Sequence, residues 1–233
     1  MSSGQDYLAA LNVEHEDFWH TNKDRVLINY IKGETILDLG CGLGSLSILL
    51  AKQGKKVTAV DDSKEYLEIA KKKSKDLHIN YIQLDFTTQE LKEKTTYDTI
   101  IISGVIEHIK EDETFLKKIN KHLKKEGILI ILTSAYPWLY SAFDKSVGHY
   151  RRYSKKQLVD VTEKAGFTIQ NVRYWDIAAL PILFLTRILN KTVVTPEGLT
   201  NPTLNKILDK WFLFYENKEI LPLGADLILV AKK

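Results

Sequence analysis

The chain has 233 residues, enough for one domain with an elaboration and enough to bury a sizeable core without disulfide staples. Hydrophobic residues make up 44% and charged residues 27%, which excludes disorder as the main state. The net charge of +3 is too small to argue for nucleic acid, and the single cysteine, Cys41, excludes an internal disulfide framework and a multi-thiolate zinc site.

The N-terminus, Met1-Ser-Ser-Gly-Gln-Asp, lacks a basic start followed by an apolar core, so no signal peptide is expected. No apolar run is long enough for an ordinary membrane span, and the default compartment is a reducing cytoplasm. A helix is expected over roughly residues 5–31. Thr35 to Leu39 (TILDL) is a short apolar run ended by glycines, and reads as a strand. Leu46 to Gln53 reads as a helix closed by Gly54. Lys56 to Val60 is the next strand. Lys64 to Ser74 is helical, with Leu67, Ala70 and Ser74 on one face and the lysines between 71 and 75 exposed. Ile79 to Leu84 and Tyr97 to Ser103 are strands, the second apolar enough for a sheet centre. Glu111 to Leu123 carries acids in its first turn and apolar residues at helical spacing. Gly127 to Thr133 is a strand. Ser154 and Gln157 form a capping box, and Gly166 closes the helix they open. Phe167 to Tyr174 and Ala225 to Ala231 are late strands.

Strands alternating with helices predict βαβ units, right-handed crossovers and a mainly parallel sheet covered on both faces. Between the last two strands lies an insertion, about residues 176–223. It holds the apolar run Ile177 to Leu185, broken by Pro181, and a stripe of Leu204, Ile207, Leu208, Trp211, Phe212 and Tyr215. Helices packed on the sheet or on each other are the plain reading. A homodimer contact, a pocket cap and peripheral membrane contact are the others, the last because Arg187 and Lys191 follow the run.

The most informative segment is Asp38-Leu-Gly40-Cys-Gly42-Leu-Gly44, which leaves a strand and opens a helix. Glycines there let a ligand approach the backbone, and the helix start offers free N–H groups. The third glycine comes one residue early for a dinucleotide fingerprint, and Asp38 would repel a pyrophosphate. The carboxylate suits a ligand with an ammonium group; equally, it holds the loop. Asp61, at the end of the next strand, is placed to accept from both ribose hydroxyls. Asp85, ending the third strand, is placed for an adenine amino group, with Phe86 packing on the ring. An amine, a ribose and a base without phosphate describe S-adenosylmethionine.

At these residues the sequence resembles the class I S-adenosylmethionine-dependent methyltransferases. Ile36-Leu-Asp-Leu-Gly-Cys-Gly-Leu-Gly is similar to their first motif. Val60-Asp61-Asp62-Ser matches the ribose acid, and Gln83-Leu-Asp85 the adenine acid. Tyr97 to His108 resembles the fourth-strand motif, whose first loop residues, from Ser103, line the methionine end. The resemblance covers roughly residues 15–175 and the last strand. It implies a Rossmann-like three-layer α/β sandwich: a seven-stranded, mainly parallel sheet with an antiparallel last strand. Residues 1–233 then form a single domain, with the N-terminal helix as a lid and the insertion as an addition. A narrower resemblance, in Asp17-Phe18-Trp19 with Arg25 and in Gly148-His149-Tyr150-Arg151-Arg152-Tyr153-Ser, points to a subgroup linked to glycan and natural-product pathways. There the N-terminal helix covers the cofactor and the H-x-R-R-Y segment lies near the acceptor.

The expected function is transfer of a methyl group from S-adenosylmethionine, leaving S-adenosylhomocysteine, to a small polar acceptor such as a sugar, glycolipid or natural-product hydroxyl. An alcohol must lose its proton, which makes His149 the first candidate for the general base and His108 the second. The expected cofactor residues are Asp38, Gly40, Cys41, Gly42, Gly44, Asp61, Asp62, Asp85, Phe86, Ser103 and Trp19. The expected acceptor residues are Tyr150, Arg151, Arg152 and Tyr153. Several have a structural reading beside them. Cys41 fills a small buried space, Asp62 is solvated or caps a helix, and His108 caps a helix or bonds a carbonyl. Trp19 is core or lid, and one of the two arginines holds an acid in the fold. No metal is expected, and neither DNA nor an integral membrane is an expected partner. Methylation of RNA or protein, and a non-catalytic subunit that binds S-adenosylmethionine, are the competing functions. A nicotinamide oxidoreductase is disfavoured by the glycine spacing and by Asp38.

Overall fold

The computed structural model describes residues 18–86, 88–89, 91, 95–189, 202–215 and 222–233. Seven strands form one sheet: β1 (Thr35–Leu39), β2 (Lys56–Asp61), β3 (Ile79–Gln83), β4 (Tyr97–Ser103), β5 (Leu123–Ser134), β6 (Thr168–Trp175) and β7 (Asp226–Lys232). Their order is β3-β2-β1-β4-β5-β7-β6. The first five are parallel, and β7 runs antiparallel to both neighbours, β5 and β6. This is the sheet that the motifs imply.

The central strands are apolar on both faces because both faces are covered. Leu37, Leu39, Ile100, Ile102, Leu129 and Ile131 pack against Phe115, Leu116 and Ile119 of α4 (Asp112–His122) and Leu158 of α6 (Lys155–Lys164). Their alternating neighbours, Ile36, Ile101, Ile128 and Ile130, face the other way. There they meet Val26 and Leu27 of α1 (Phe18–Ile28), Leu46 and Leu50 of α2 (Ser45–Lys52), and Phe212 of α8 (Pro202–Phe214). The two-residue period of the strands thus feeds two helix layers. The remaining helices are α3 (Lys64–Lys73), the short α5 (Ala142–Ser146) and α7 (Leu180–Leu189).

Local signals in the sequence account for the helix ends. Ser63 caps α3, accepting from Tyr66 N–H at 3.2 Å. Ser154 and Gln157 make the expected capping box on α6. Strand β5 differs from expectation. It starts at Leu123, not Gly127, because Leu123 pairs with Tyr97 ahead of a register shift, and Glu126 takes a left-handed backbone (φ 67°) at the irregularity.

Of the expected N-terminal helix, residues 18–28 are helical, and residues 5–17, including Asp17 of the narrower motif, lie outside the described residues. The insertion contributes α7 and α8. Its residues 190–201 and 216–221, with Lys191, lie outside as well. Helix α8 buries Phe212 against Trp175 but leaves Ile207, Trp211 and Tyr215 exposed, so its apolar stripe is wider than its contact. Arg25 of α1 ties the two additions together through Asp209 at 2.7 Å. Among the described residues no helix is long and apolar enough to cross a membrane.

Candidate functional site

The C-terminal ends of β1, β2 and β4 share one edge of the sheet with the start of β7. This is where open α/β sheets bind ligands. The glycine loop lies across that edge. Gly40 N–H and Cys41 N–H both donate to Val60 O, at 2.8 and 3.0 Å, which draws the loop onto the tip of β2. Each loop glycine has a positive φ, but their surroundings differ. A Cβ on Gly40 would stand 2.2 Å from Val105 Cγ2, and one on Gly44 would stand 3.0 Å from Ala70 Cβ of α3. Around Gly42, and around Gly104 beyond β4, a Cβ would meet nothing within 4 Å. Gly40 and Gly44 therefore serve close packing, whereas Gly42 and Gly104 border open space where a ligand can approach the backbone.

Asp61 closes this loop. Its buried carboxylate accepts from Gly42 N–H at 2.8 Å on one oxygen and from Ser63 N–H at 3.0 Å on the other. Burial pushes the group above its usual range, against the pull of those two N–H groups. One lone pair on each oxygen is left for a further donor. Asp62 is exposed, and Ser63, not Asp62, caps the next helix. Asp38 points inward, accepting from Ser47 Oγ of α2 at 2.6 Å, and burial pushes it up to about 6. It holds the first turn after the loop. Cys41 is half-buried, and burial with the charges of Asp38 and Asp61 raises its thiol far above the ordinary range, which suits a filler and not a nucleophile.

At the third strand end, Asp85 accepts from Thr88 Oγ1 at 2.9 Å. The Phe86 ring packs edge-on against Phe115 of α4, with centroids 6.4 Å apart. Ser103 ends β4, half-buried, just before Gly104. On the α1 side, Trp19 donates from Nε1 to Asp176 Oδ2 at 2.7 Å and packs on Trp175. Its indole therefore joins α1 to the root of the insertion.

The loop after β5 carries the second half of the constellation. His149 Nδ1 lies 3.0 Å from Asp144 Oδ1, and its ring stands edge-on to His108 at 4.6 Å. Burial and the charge of His149 lower the His108 pKa. The two arginines behave as internal ties. Arg152 Nε meets Asp144 at 2.7 Å inside the fold, and Arg151 Nη1 meets Asp112 at 2.5 Å. The buried Tyr153 phenol donates to the same Asp112 at 2.7 Å, while Tyr150 is exposed. The structure thus brings His108 and His149 together and commits the charges of both arginines to acids of the fold.

Four features of the site had not been singled out. Asp144 is fully buried; its signal was Ser141 three residues earlier and His149 five residues later. Glu107, next to His108, is buried and accepts from Thr133 Oγ1 at 2.9 Å. Asp226, at the start of β7, is pushed up by burial and by Asp176, with Arg152, Glu107 and Lys23 also acting on it. An apolar cavity of about 410 Å³ opens beside Tyr136, Trp138, Ile177, Leu180, Phe184 and Leu223. Its residues come from three separate segments, so no single stretch announced it. Among the described residues no group of three or more histidine, cysteine or acidic side chains is placed to hold a metal ion.

The family model for a methyltransferase domain matches residues 37–131. Over those residues the chain resembles a methyltransferase domain. Its fold is shared with solved S-adenosylmethionine-dependent methyltransferases. A ubiquinone biosynthesis O-methyltransferase of Rickettsia typhi (strain ATCC VR-144 / Wilmington) is 40% identical over 113 residues, which are 48% of this chain and 45% of that protein. The chain thus spans a little under half the length of the curated relatives of this kind that it matches. Among solved structures, an S-adenosylmethionine-dependent methyltransferase from Mesorhizobium loti superposes with a TM-score of 0.66 at 15% identity, covering 94% of this chain and 99% of that one. Coclaurine N-methyltransferase bound to N-methylheliamine and SAH gives 0.63 at 22% identity, covering 93% and 72%. At these identities the structural likeness establishes the fold alone.

Proposed function

We propose that the chain binds S-adenosylmethionine over the tips of β1, β2 and β3, transfers its methyl group to a hydroxyl of a small acceptor, and releases S-adenosylhomocysteine. The observation that carries this reading is the clasp of Asp61 on Gly42. It places a carboxylate with spare lone pairs beside open backbone, which fits a ribose diol. Asp85 at the next strand end fits the adenine amine, and the space at Gly104 fits the amino-acid end. No phosphate is called for, and Asp38 and Asp61 would repel one. When bound, the cofactor supplies a methyl group already activated on a sulfonium.

The chain's own residues then orient the acceptor, exclude water and take a proton. His149 is the base and His108 its neighbour. The cavity beside Tyr136 and Trp138 supports an acceptor with an apolar body behind its polar head, as in a glycolipid or natural-product intermediate. The internal pairing of Arg151 and Arg152 favours a small molecule over a nucleic acid. The same reading takes residues 1–233 as one cytoplasmic domain whose N-terminal helix and insertion set acceptor choice. Exposed Phe184, Leu185 and Ile188 of α7 support pairing of two copies through the insertion.

The test is transfer of tritium from methyl-labelled S-adenosylmethionine to a panel of catechols, alkyl phenols, hydroxybenzoates and sugars. Label on at least one hydroxylic acceptor, lost in Asp61→Ala, is the expected result. Tight S-adenosylhomocysteine binding with no transfer to any acceptor class would replace this reading with a non-catalytic binder. Transfer to RNA or protein alone would replace it with a macromolecular methyltransferase.

A further inference from the structure

The structure assigns Asp144 as a positioning residue that fixes His149 with its proton on Nδ1 and its basic lone pair on Nε2. As a contribution to catalysis this rests on the methyl-transfer reading above; as a statement about the imidazole it stands independently.

The Asp144 side chain is completely buried. Its Oδ1 faces His149 Nδ1 at 3.0 Å and Arg152 Nε at 2.7 Å. Its Oδ2 accepts from Ser141 N–H at 2.8 Å and from Ser141 Oγ at 3.1 Å. Burial alone would raise this carboxyl. The hydrogen bond from His149, the charge of Arg152 and the Ser141 N–H outweigh burial and hold it below its usual range. An ionised carboxylate has about four acceptor sites and no proton to give. All four are used here, and two of the partners, Arg152 Nε and the Ser141 N–H, can act only as donors. Arginine cannot accept, the Ser141 N–H cannot accept, and the Ser141 hydroxyl is the remaining contact on Oδ2. The contact from His149 is therefore attractive only if Nδ1 carries the hydrogen.

In water a neutral imidazole favours the proton on Nε2, so this site selects the less common form. The backbone is pinned as well. His149 N–H donates to Asp144 O at 2.8 Å, and His149 O accepts from Tyr140 Oη at 2.7 Å. The His108 ring stands against its face or edge at a near-right angle, 87°. The ring has little freedom to rotate away, and among the described residues no hydrogen bond engages Nε2. Nε2 is then the nitrogen left to take a proton from an acceptor hydroxyl. As the hydroxyl oxygen bonds to the methyl carbon, the carbon–sulfur bond breaks with its electron pair left on sulfur. The hydroxyl proton passes to Nε2, and the resulting imidazolium faces the Asp144 carboxylate until solvent removes the proton. The logic is that of a carboxylate orienting a histidine base, without transfer of the proton to the carboxylate.

The decisive experiment needs no acceptor. Protein labelled with ¹⁵N at its six histidines gives long-range ¹H–¹⁵N spectra near pH ~8.5, above the ordinary histidine range. His149→Gln identifies the signals of His149. The expected pattern is a protonated Nδ1 and an unprotonated Nε2. A protonated Nε2, or fast averaging between the two forms, would overturn the assignment. Asp144→Ala is expected to return His149 to the averaged or Nε2-protonated pattern, and retention of the Nδ1 proton there would show that Asp144 is not what fixes it. If that variant does not fold, the wild-type spectrum decides alone. Once an acceptor is identified, Asp144→Ala should lower kcat by roughly 10-fold or more with little change in KM for S-adenosylmethionine. Unchanged kcat in His149→Gln beside the expected spectrum would refute the base and leave the tautomer standing.

Discussion

Asp38→Asn is the substitution for which the structure gives the sharpest expectation. Asp38 is 2% exposed and accepts from Ser47 Oγ at 2.6 Å. Burial lifts it from 3.8 to about 6, and Ser47 and the charge of Lys23 offset that rise only in part. A folded value above the unfolded one means that the folded protein holds the proton more tightly. The stability this contributes is full below pH 3.8 and is lost as pH rises through about 6. At about 1.4 kcal/mol per tenfold change in proton affinity, the ionised group costs the fold about 3 kcal/mol at neutral pH. Asparagine keeps the shape and an acceptor for Ser47 but carries no charge. Relative to wild type, Asp38→Asn should therefore gain roughly 2–3 kcal/mol more stability at pH ~7.5 than at pH ~4. Urea unfolding followed by tryptophan fluorescence at the two pH values measures this. An equal effect at both, or a loss confined to neutral pH, would refute the burial argument. The same variant separates the two roles of Asp38. Weaker S-adenosylhomocysteine binding at neutral pH would mark it as a ligand for the cofactor amine, and unchanged binding as a holder of the loop.

The first two loop glycines should respond differently. Gly40→Ala places a Cβ 2.2 Å from Val105 at φ 74°, and should cost about 2–4 kcal/mol in a thermal melt. Gly42→Ala meets open space and should cost about 1 kcal/mol, yet should weaken S-adenosylhomocysteine binding roughly tenfold or more by filling the ligand's approach. Trp19→Phe removes the Nε1 bond to buried Asp176; it should cost about 1–3 kcal/mol and speed amide exchange in α1. Cys41, raised by burial and two nearby acids, should alkylate with iodoacetamide near pH ~8 far more slowly than in the urea-unfolded chain, as read by mass spectrometry.

The sheet was legible because apolar strand runs and glycine or capping signals alternate along the chain. Ser154 with Gln157, and Gly54 and Gly166 behind their helices, are local features that need no tertiary context. The same holds for the placement of Asp38, Asp61 and Asp85, which lie at or near the ends of consecutive strands, so chain order gives their spatial order. The start of β5 was less legible. Lys124-Lys125-Glu126 is polar enough to pass for a helix tail, and only its pairing with β4 makes the segment a strand. The acceptor side was harder still. Asp112 and Asp176 take their meaning from partners distant in sequence, Asp144 from loop neighbours that no periodic pattern marks, and the basic run at residues 151–152 says nothing by itself of the acids that neutralise it. The apolar cavity joins residues 136–139, 177–184 and 223, which no local pattern links.

The most direct measurement of the central claim is a calorimetric titration of the chain with S-adenosylhomocysteine, alongside NAD and the Asp61→Ala variant. Saturable one-site binding of S-adenosylhomocysteine is predicted, weakened at least tenfold in Asp61→Ala because the clasp on Gly42 and the ribose acceptor are lost together. NAD should give no heat of binding. Binding of NAD without S-adenosylhomocysteine, or S-adenosylhomocysteine binding indifferent to Asp61, would contradict the account.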